Sequence, residues 1–288
     1  MAKAYVFFNS LAGNGASFDE VKAELCKTVS DQKVFCDVKD GYRDVISSLD
    51  ADDYLVICGG DGTLNRFINE IDGMEFDNDV LYFASGNGND FARDIGKENR
   101  EAPYSIKEHI CDLPVVTVNG KSYRFLNGVG YGIDGYCCQV GDELKKIPGK
   151  KVDYTAIAIK GLLFHYKPAN ARVVIDGVEN HYRKVWIAPT MHGRFYGGGM
   201  MPTPAQDRTQ RGKLSIMIWH GSGKLRTLMA FPSLFKGEHL KHTKYIDVCE
   251  GSEITVEFDR PTALQIDGET VLGVTSYTAR ARVLAEMK

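Results

Sequence analysis

From Ala4 to about Asp112 the chain alternates short apolar runs with stretches in which apolar residues return every three or four positions. The first pattern predicts strands at Tyr5–Phe8, Val34–Val38, Tyr54–Cys58 and Val80–Ala84. The second predicts helices at about Phe18–Val29, Tyr42–Leu49, Thr63–Ile71 and Asp90–Ile95. Strand and helix in strict alternation imply a doubly wound parallel sheet, with ligands bound off the carboxyl ends of its strands. Between about Pro114 and Gly120 the period changes. Short strands follow at Val115–Val118, Tyr123–Asn127, Ala171–Ile175, Lys184–Ala188, Leu214–Trp219 and Tyr245–Cys249, then at Ile254–Phe258, Ala263–Ile266 and Ala281–Leu284. Helical patterns interrupt them near Asp153–His165 and Lys224–Phe235. The expected fold is therefore α/β: an N-terminal doubly wound, Rossmann-like domain over residues 1–116 and a C-terminal β-sandwich-like domain over 117–288, with a cleft between them.

The sharpest feature lies where the third strand becomes a helix. Residues Gly59-Gly60-Asp61-Gly62-Thr63-Leu64-Asn65 join the run Tyr54–Cys58 to a helical face of Leu64, Phe67, Ile68 and Ile71. Glycines in such a turn let a ligand approach the main chain, and the amides that open the helix favour a phosphate. Asp61 would repel a bare polyphosphate, but a carboxylate is a ligand that Mg²⁺ prefers, so the turn reads as a site for a metal-bound nucleotide. Two more strand ends carry similar text: Asn9-Ser10-Leu11-Ala12-Gly13-Asn14-Gly15 after the first, and Ser85-Gly86-Asn87-Gly88-Asn89-Asp90-Phe91-Ala92-Arg93 after the fourth. Three Gly- and Asn-rich loops on one rim point to phosphate binding more strongly than one.

Composition narrows the alternatives. A net charge of -3 over 288 residues argues against a nucleic-acid binder held by bulk charge. Seven cysteines, an odd number with no C-x-x-C, suit reduced thiols in a cytoplasmic protein. The N-terminal residues read as a strand rather than a signal peptide, and no apolar run is long enough to span a bilayer. The histidines lack zinc-like spacing, and neither a G-x-S-x-G elbow nor a Walker A motif is present. Gly130-Tyr131-Gly132-Ile133-Asp134-Gly135 fits G-x-G-x-x-G but sits in strand-rich text without a βαβ unit, which disfavours a dinucleotide site.

The G-G-D-G-T-L-N string resembles the signature of the diacylglycerol kinase catalytic family, which includes sphingosine, ceramide and bacterial lipid kinases. The resemblance extends to Asn9–Gly13, with Ser10 where proline is usual, and to Gly86–Arg93, with Asn87 where threonine is usual. It implies that ATP with Mg²⁺ is held by Asn9, Ser10, Ala12, Gly13, Gly59, Gly60, Asp61, Gly62, Thr63, Asn65, Gly86, Asn87, Asn89 and Asp90. Asn127, Gly130, Gly132 and Asp134 match N-x-x-G-x-G-x-D, which implies that Asp134 joins a carboxylate network facing the nucleotide; the bland alternative is an aspartate capping a helix that starts near Tyr136. Gln265-Ile266-Asp267-Gly268-Glu269 resembles Q-x-D-G-E and makes Glu269 the candidate general base; without the resemblance the string reads as a D-G hairpin. Some relatives assign the base to the aspartate of G-G-D-G, here Asp61. After Gly197-Gly198-Gly199-Met200, Arg211 stands where a metal-binding aspartate is usual, so no structural metal is expected, with Asp207 keeping the question open.

The implied activity is phosphorylation of a hydroxyl on a diacylglycerol-like or sphingoid lipid. The alternatives are a soluble-metabolite kinase of the NAD kinase kind, which shares G-G-D-G-T, and a nucleotide-binding regulator without catalysis. A lipid acceptor implies transient peripheral membrane contact, at the inner face for a cytoplasmic protein. The apolar stretch Val152–Tyr166, preceded by Lys145, Lys146, Lys150 and Lys151, could supply it; the alternative is a solvated lysine run. Oligomeric state is left open.

Overall fold

The computed structural model describes residues 2–10, 18–86, 88–147, 149 and 152–282. By backbone contacts the chain divides into two compact units, Met1–Leu113 and Pro114–Lys288.

In the first unit, β1 (Lys3–Phe8), α1 (Phe18–Thr28), β2 (Gln32–Asp37), α2 (Arg43–Ser47), β3 (Tyr54–Gly59), α3 (Asp61–Glu70), β4 (Val80–Ala84), α4 (Asp90–Asp94), β5 (Tyr104–Ser105) and α5 (Lys107–Ile110) follow in order. The sheet runs β2-β1-β3-β4-β5, parallel except for the short edge strand β5. Successive side chains of a strand face opposite ways, and here both faces are covered. Ala4, Val6, Val56, Cys58 and Phe83 pack with Val21 and Leu25 of α1. On the other face Phe7 meets Tyr42, with ring centroids 4.8 Å apart, and Tyr42 meets Phe67 of α3 at 5.1 Å. Leu64, Phe67, Ile68 and Ile71 are all buried, as their spacing predicts. Strand order reverses between β1 and β3, so the loops that leave their carboxyl ends flank the switch point where doubly wound sheets bind ligands.

The second unit contains β6 (Val115–Val118), β7 (Lys121–Arg124), β8 (Gly128–Tyr131), α6 (Ile133–Lys145), α7 (Tyr154–Lys160), β9 (Ala169–Ile175), β10 (Val178–Val185), β11 (Thr190–Met191), β12 (Leu214–Trp219), α8 (Lys224–Ala230), β13 (Ile246–Gly251), β14 (Glu253–Ile266) and β15 (Glu269–Arg280). A π-helical turn, Gly161–His165, extends α7, and 3-10 turns at Phe231–Lys236 and Glu238–Lys241 follow α8. The spine is the β14–β15 hairpin. The first half of β14 pairs with β9 through Ile254–Phe258, and its last residues, Leu264–Ile266, pair with β8. Pro261, which has no N–H to give a ladder, lies in the irregular stretch between the two pairings. The antiparallel strands β13-β12-β11-β8-β14-β15-β6-β7 form a sandwich around Tyr131, Val173, Ile216, Val256, Leu264 and Tyr277. Strand β12 is buried along its whole length, as its continuous apolar text requires: Leu214, Ile216 and Ile218 face that core, while Met217 and Trp219 face a second core beneath α6, α7 and α8.

Several expectations change; the strand expected at Tyr123–Asn127, for one, is Lys121–Arg124, with another at Gly128–Tyr131. The runs Ile254–Phe258 and Ala263–Ile266 belong to one 14-residue strand. Its partner β15 was missed because the β15 text breaks the two-residue alternation at a bulge, where Leu272 and Gly273 stand opposite Ala263. The strand expected at Ala281–Leu284 is not found over residues 281 and 282, and its last two residues lie outside the described residues. The strand expected at Lys184–Ala188 instead covers Val178–Val185, whose exposed polar text, Glu179-Asn180-His181, hid it from an apolar pattern.

Candidate active site

In the first unit the rim is held together by backbone. Gly60 caps α3 in an extended conformation. The amides of Ser85 and Gly86 both donate to the Gly59 carbonyl, at 2.9 and 3.2 Å, which ties the loop after β4 to the turn after β3. A Cβ on Gly86 would stand 2.4 Å from the Gly60 Cα, and one on Gly59 would stand 2.4 Å from the Thr63 Oγ1. Gly86 is therefore required by the contact of one loop with the other, and Gly59 by the folding of its own turn back onto Thr63. Asp61 adds the second tie. Its carboxylate accepts the amides of Asp90, at 2.8 Å, and Phe91, at 3.0 Å, the first two of α4. The Asp61 side chain thus does for α4 what a capping residue does, from 29 residues away in sequence.

The remaining rim residues divide by direction. Asn89 adopts a left-handed conformation, φ 45°, and is buried; its amide donates to the Gly86 carbonyl and the Asn99 side chain, each at 2.7 Å. Tyr82 donates to the Gly59 carbonyl at 3.0 Å and braces the same loop from below. Asp90 and Asn65 are also buried, with Arg93 3.8 Å from the Asp90 carboxylate and Asn69 donating to Asn65. Gly62 is exposed, and Asn9, Gly59, Gly60, Asp61, Thr63 and Gly86 are half-buried. Ser10, where the family usually has proline, is exposed and donates its hydroxyl to Asp37 at the end of β2; with Lys39, that bond holds the Asp37 carboxyl at about 2. Ala12, Gly13 and Asn87 lie outside the described residues.

In the second unit the carboxylates meet around the turn of the spine hairpin. Asp267 and Gly268 both take positive φ, 47° and 96°, which makes the turn the mirror-image type that suits paired strands. The buried Asp267 carboxylate accepts three consecutive amides, Leu126 at 2.6 Å, Asn127 at 2.8 Å and Gly128 at 3.0 Å. Arg208 reaches the same loop, donating to the Leu126 carbonyl at 3.3 Å and the Asn127 side chain at 3.1 Å. Glu269, the first residue of β15, is exposed. Gln265 accepts the Gly268 amide at 2.7 Å and turns its own amide toward Asp134.

Asp134 lies in the first turn of α6, with Gly132 as the capping residue. This corrects the alternative of an aspartate capping a helix begun near Tyr136. The Asp134 carboxylate accepts the Gly135 amide at 2.9 Å, the Tyr196 hydroxyl at 3.4 Å and the Gln265 side chain. Those bonds only partly offset its burial, which pushes the carboxyl up to about 7. Gly130 makes room for it, since a Cβ there would stand 1.8 Å from the Asp134 Oδ2. The glycines of the G-x-G-x-x-G string thus serve local packing in an antiparallel sheet. Sequence reasoning missed Tyr196, Gln265, Asp267 and Arg208 as functional neighbours. The glycine run just after Tyr196 and the Q-x-D-G-E string were the available signals.

Among the described residues no group of three His, Cys, Asp or Glu could hold a metal ion. Asp207 accepts the amide and hydroxyl of Thr209 at 2.9 and 2.7 Å.

The profile of the diacylglycerol kinase catalytic domain matches residues 3–118, and that of the YegS C-terminal NAD kinase beta sandwich-like domain matches 127–285. The chain belongs to the diacylglycerol kinase catalytic family. Among its relatives, the diacylglycerol kinase of Mycobacterium tuberculosis (strain CDC 1551 / Oshkosh) is 26% identical over 196 residues, 66% of this chain. That match spans 62% of the relative's own length. A Staphylococcus aureus (strain JH9) protein with lipid kinase in its name is 26% identical over 228 residues, 76% of this chain and 72% of that one. A crystal structure of a diacylglycerol kinase from Bacillus anthracis str. Sterne superposes with a TM-score of 0.62 at 19% identity, covering 97% of this chain and 94% of that one. The last comparison supports the family's fold, a parallel-sheet unit followed by an antiparallel sandwich.

Proposed function

We propose that the protein is an ATP-dependent lipid kinase that phosphorylates a hydroxyl of a diacylglycerol-like or sphingoid lipid. The observation that carries this reading is the Asp61 bridge, which fixes the turn after β3 and the start of α4 as one backbone-lined rim at the switch point of the sheet. Backbone amides at such a rim suit phosphates, and the first amides of α3 precede any acceptor in their own helix. Asn9, Ser10, Gly59, Gly60, Gly62, Thr63 and Gly86 would line the phosphates, with Asn65, Asn89 and Asp90 supporting them from the buried side. When bound, the nucleotide supplies the transferable phosphoryl group and, through its Mg²⁺, neutralises charge.

The chain's own residues have distinct tasks. Asp61 holds the α4 end in place. Glu269 takes the proton of the acceptor hydroxyl, supported by its exposure and by the absence of any hydrogen bond to its carboxylate among the described residues. Asp134, with a carboxyl near 7, can hold or release a proton at neutral pH beside Tyr196 and Gln265. A lipid acceptor brings the protein to a membrane surface; no helix among the described residues is long and apolar enough to cross one. Seven free thiols suit work on the cytoplasmic side.

The test is transfer from labelled ATP to a panel of diacylglycerol, sphingosine and NAD. Lipid product is expected, with Asp61→Asn and Glu269→Gln each losing most turnover while remaining folded. Product only from NAD would support a soluble-metabolite kinase. ATP binding with no product from any acceptor would support a regulator without catalysis.

A further inference from the structure

Helices that cover a core usually turn their apolar residues inward, and one layer of the second unit turns them both ways. Of the eleven exposed large apolar side chains among the described residues, six lie in residues 159–164 and 225–240, and a seventh, Tyr154, opens α7. Ile159 and Phe164 come from α7 and the π-helical turn that extends it; Leu225 and Met229 come from α8; Phe235 and Leu240 come from the 3-10 turns that follow. Phe164, Leu225 and Met229 are 72%, 69% and 76% exposed. The same segments already satisfy the core with other residues, since Ile157, Leu162, Thr227 and Leu234 are buried. Leu225 and Met229 are four residues apart and share the outward face of α8. Such two-sided apolar text calls for a second apolar environment.

The segments form one surface. Lys224 of α8 donates to the Leu163 carbonyl at 2.9 Å, which joins α8 to the π-helical turn. The rings of Phe231 and Phe235 stand 6.4 Å apart on the 3-10 turn that continues α8. The charge of these segments also departs from the rest of the chain. Residues 159–167 and 224–244 together carry seven Lys or Arg against a single acidic residue, Glu238, in a chain whose net charge is -3.

We infer that this face, built from α7, the π-helical turn, α8 and the 3-10 turns after it, docks the protein on an anionic lipid bilayer. Outward Phe, Leu and Met can enter the boundary of headgroups and acyl chains while Lys160 and Lys236 meet lipid phosphates. Charge selects this occupant. A second copy of the chain would bring the same cationic patch against itself across a two-fold interface. The inference deepens the lipid kinase reading, keeps the apolar stretch of α7 and its π-helical turn, and replaces the lysine run before it with α8, the 3-10 turns and their own lysines. Lys145 in that run is paired with Asp142 at 3.0 Å, and Lys150 and Lys151 lie outside the described residues.

The test is flotation of the full chain with vesicles of equal parts phosphatidylglycerol and phosphatidylcholine, beside vesicles of phosphatidylcholine alone. The wild type is expected to float with the mixed vesicles and to bind the neutral ones at least about tenfold more weakly, with binding that weakens as salt rises. Two variants probe the two components: the triple change Phe164→Ser, Leu225→Ser and Met229→Ser, and the pair Lys160→Glu and Lys236→Glu. Each is expected to bind the mixed vesicles at least about tenfold more weakly. Their melting temperatures and their turnover of a short-chain, water-dispersed diacylglycerol should match the wild type. Equal flotation of wild type and variants overturns the inference. So does a wild-type dimer that either variant dissolves, or a wild type that fails to float while turning over the short-chain lipid. Flotation without turnover of any lipid acceptor leaves the docking face standing and removes the kinase reading instead.

Discussion

The two carboxylate clusters use one device to different ends. Asp61 in the first unit and Asp267 in the second each accept consecutive backbone amides, two in one case and three in the other. Each thereby fixes a loop far away in sequence. Beside Asp267 stand two carboxyls that the device leaves out. Asp134 is buried with too few donors, and Glu269 projects into solvent. A carboxylate that accepts several amides is a post for the backbone, whereas the burial of Asp134 outweighs the bonds it accepts and raises its carboxyl. The first unit thus offers a rim tied by backbone, and the second offers a loop tied the same way, with one buried and one exposed carboxyl beside it.

The largest effect should come from removing the more heavily bonded post. Asp267→Ala leaves three amides without their acceptor in a buried place and is expected to cost about 3 kcal/mol or more, read as a lower denaturation midpoint with an unchanged slope. A smaller loss would mean that the 126–128 loop finds other acceptors. Next comes Gly86→Ala, which forces a methyl against the Gly60 backbone; about 2 kcal/mol of stability and most nucleotide affinity should be lost together. Retained nucleotide affinity would show that the contact of the two loops is not what shapes the rim. Asp61→Asn keeps one acceptor oxygen and should cost about 1 kcal/mol, less than Asp267→Ala. The reverse order would break the comparison.

Two carboxyls with shifts of opposite sign, Asp134 and Asp37, give stability opposite pH dependences. The native Asp134 carboxyl is raised to about 7, above its unfolded value of about 3.9, so the folded protein holds the extra proton between those values. Its contribution therefore falls as pH rises from about 4 through 7. Asp134→Asn should be more stable than the wild type at pH 8, with the difference shrinking toward pH 5, as read by thermal melts across pH. Asp37 has the opposite sign. Its carboxyl is lowered to about 2, so the stability it contributes is present above its unfolded value and is lost as pH falls through about 2. Ser10→Ala should weaken that acid-side dependence slightly, the smallest change of the set.

The comparison also explains what could be read from the chain alone. The parallel sheet and the α3 face follow from period, because Leu64, Phe67, Ile68 and Ile71 have one way to be buried together. The glycine loops announced themselves through composition. The posts did not, since nothing in Asp61 says that its acceptors' partners are the amides of residues 90 and 91. Nor does the text of Asp267, in a D-G turn, reveal the amides of residues 126–128. Without the resemblance, which places it in a carboxylate network, Asp134 reads as a cap, because an aspartate near a helix start usually is one; its burial depends on Tyr196 and Gln265, brought in by tertiary packing. Strand β15 escaped because a bulge at Gly273 shifts its alternation partway along.

The most direct measurement of the central claim is the rate of phosphoryl transfer from labelled ATP to dispersed diacylglycerol or sphingosine, for the wild type and Glu269→Gln at equal melting temperature. The account predicts lipid phosphate from the wild type and a loss of at least about a hundredfold in turnover for Glu269→Gln, with ATP affinity unchanged. Equal turnover by the two proteins, or transfer to NAD with none to either lipid, would contradict it.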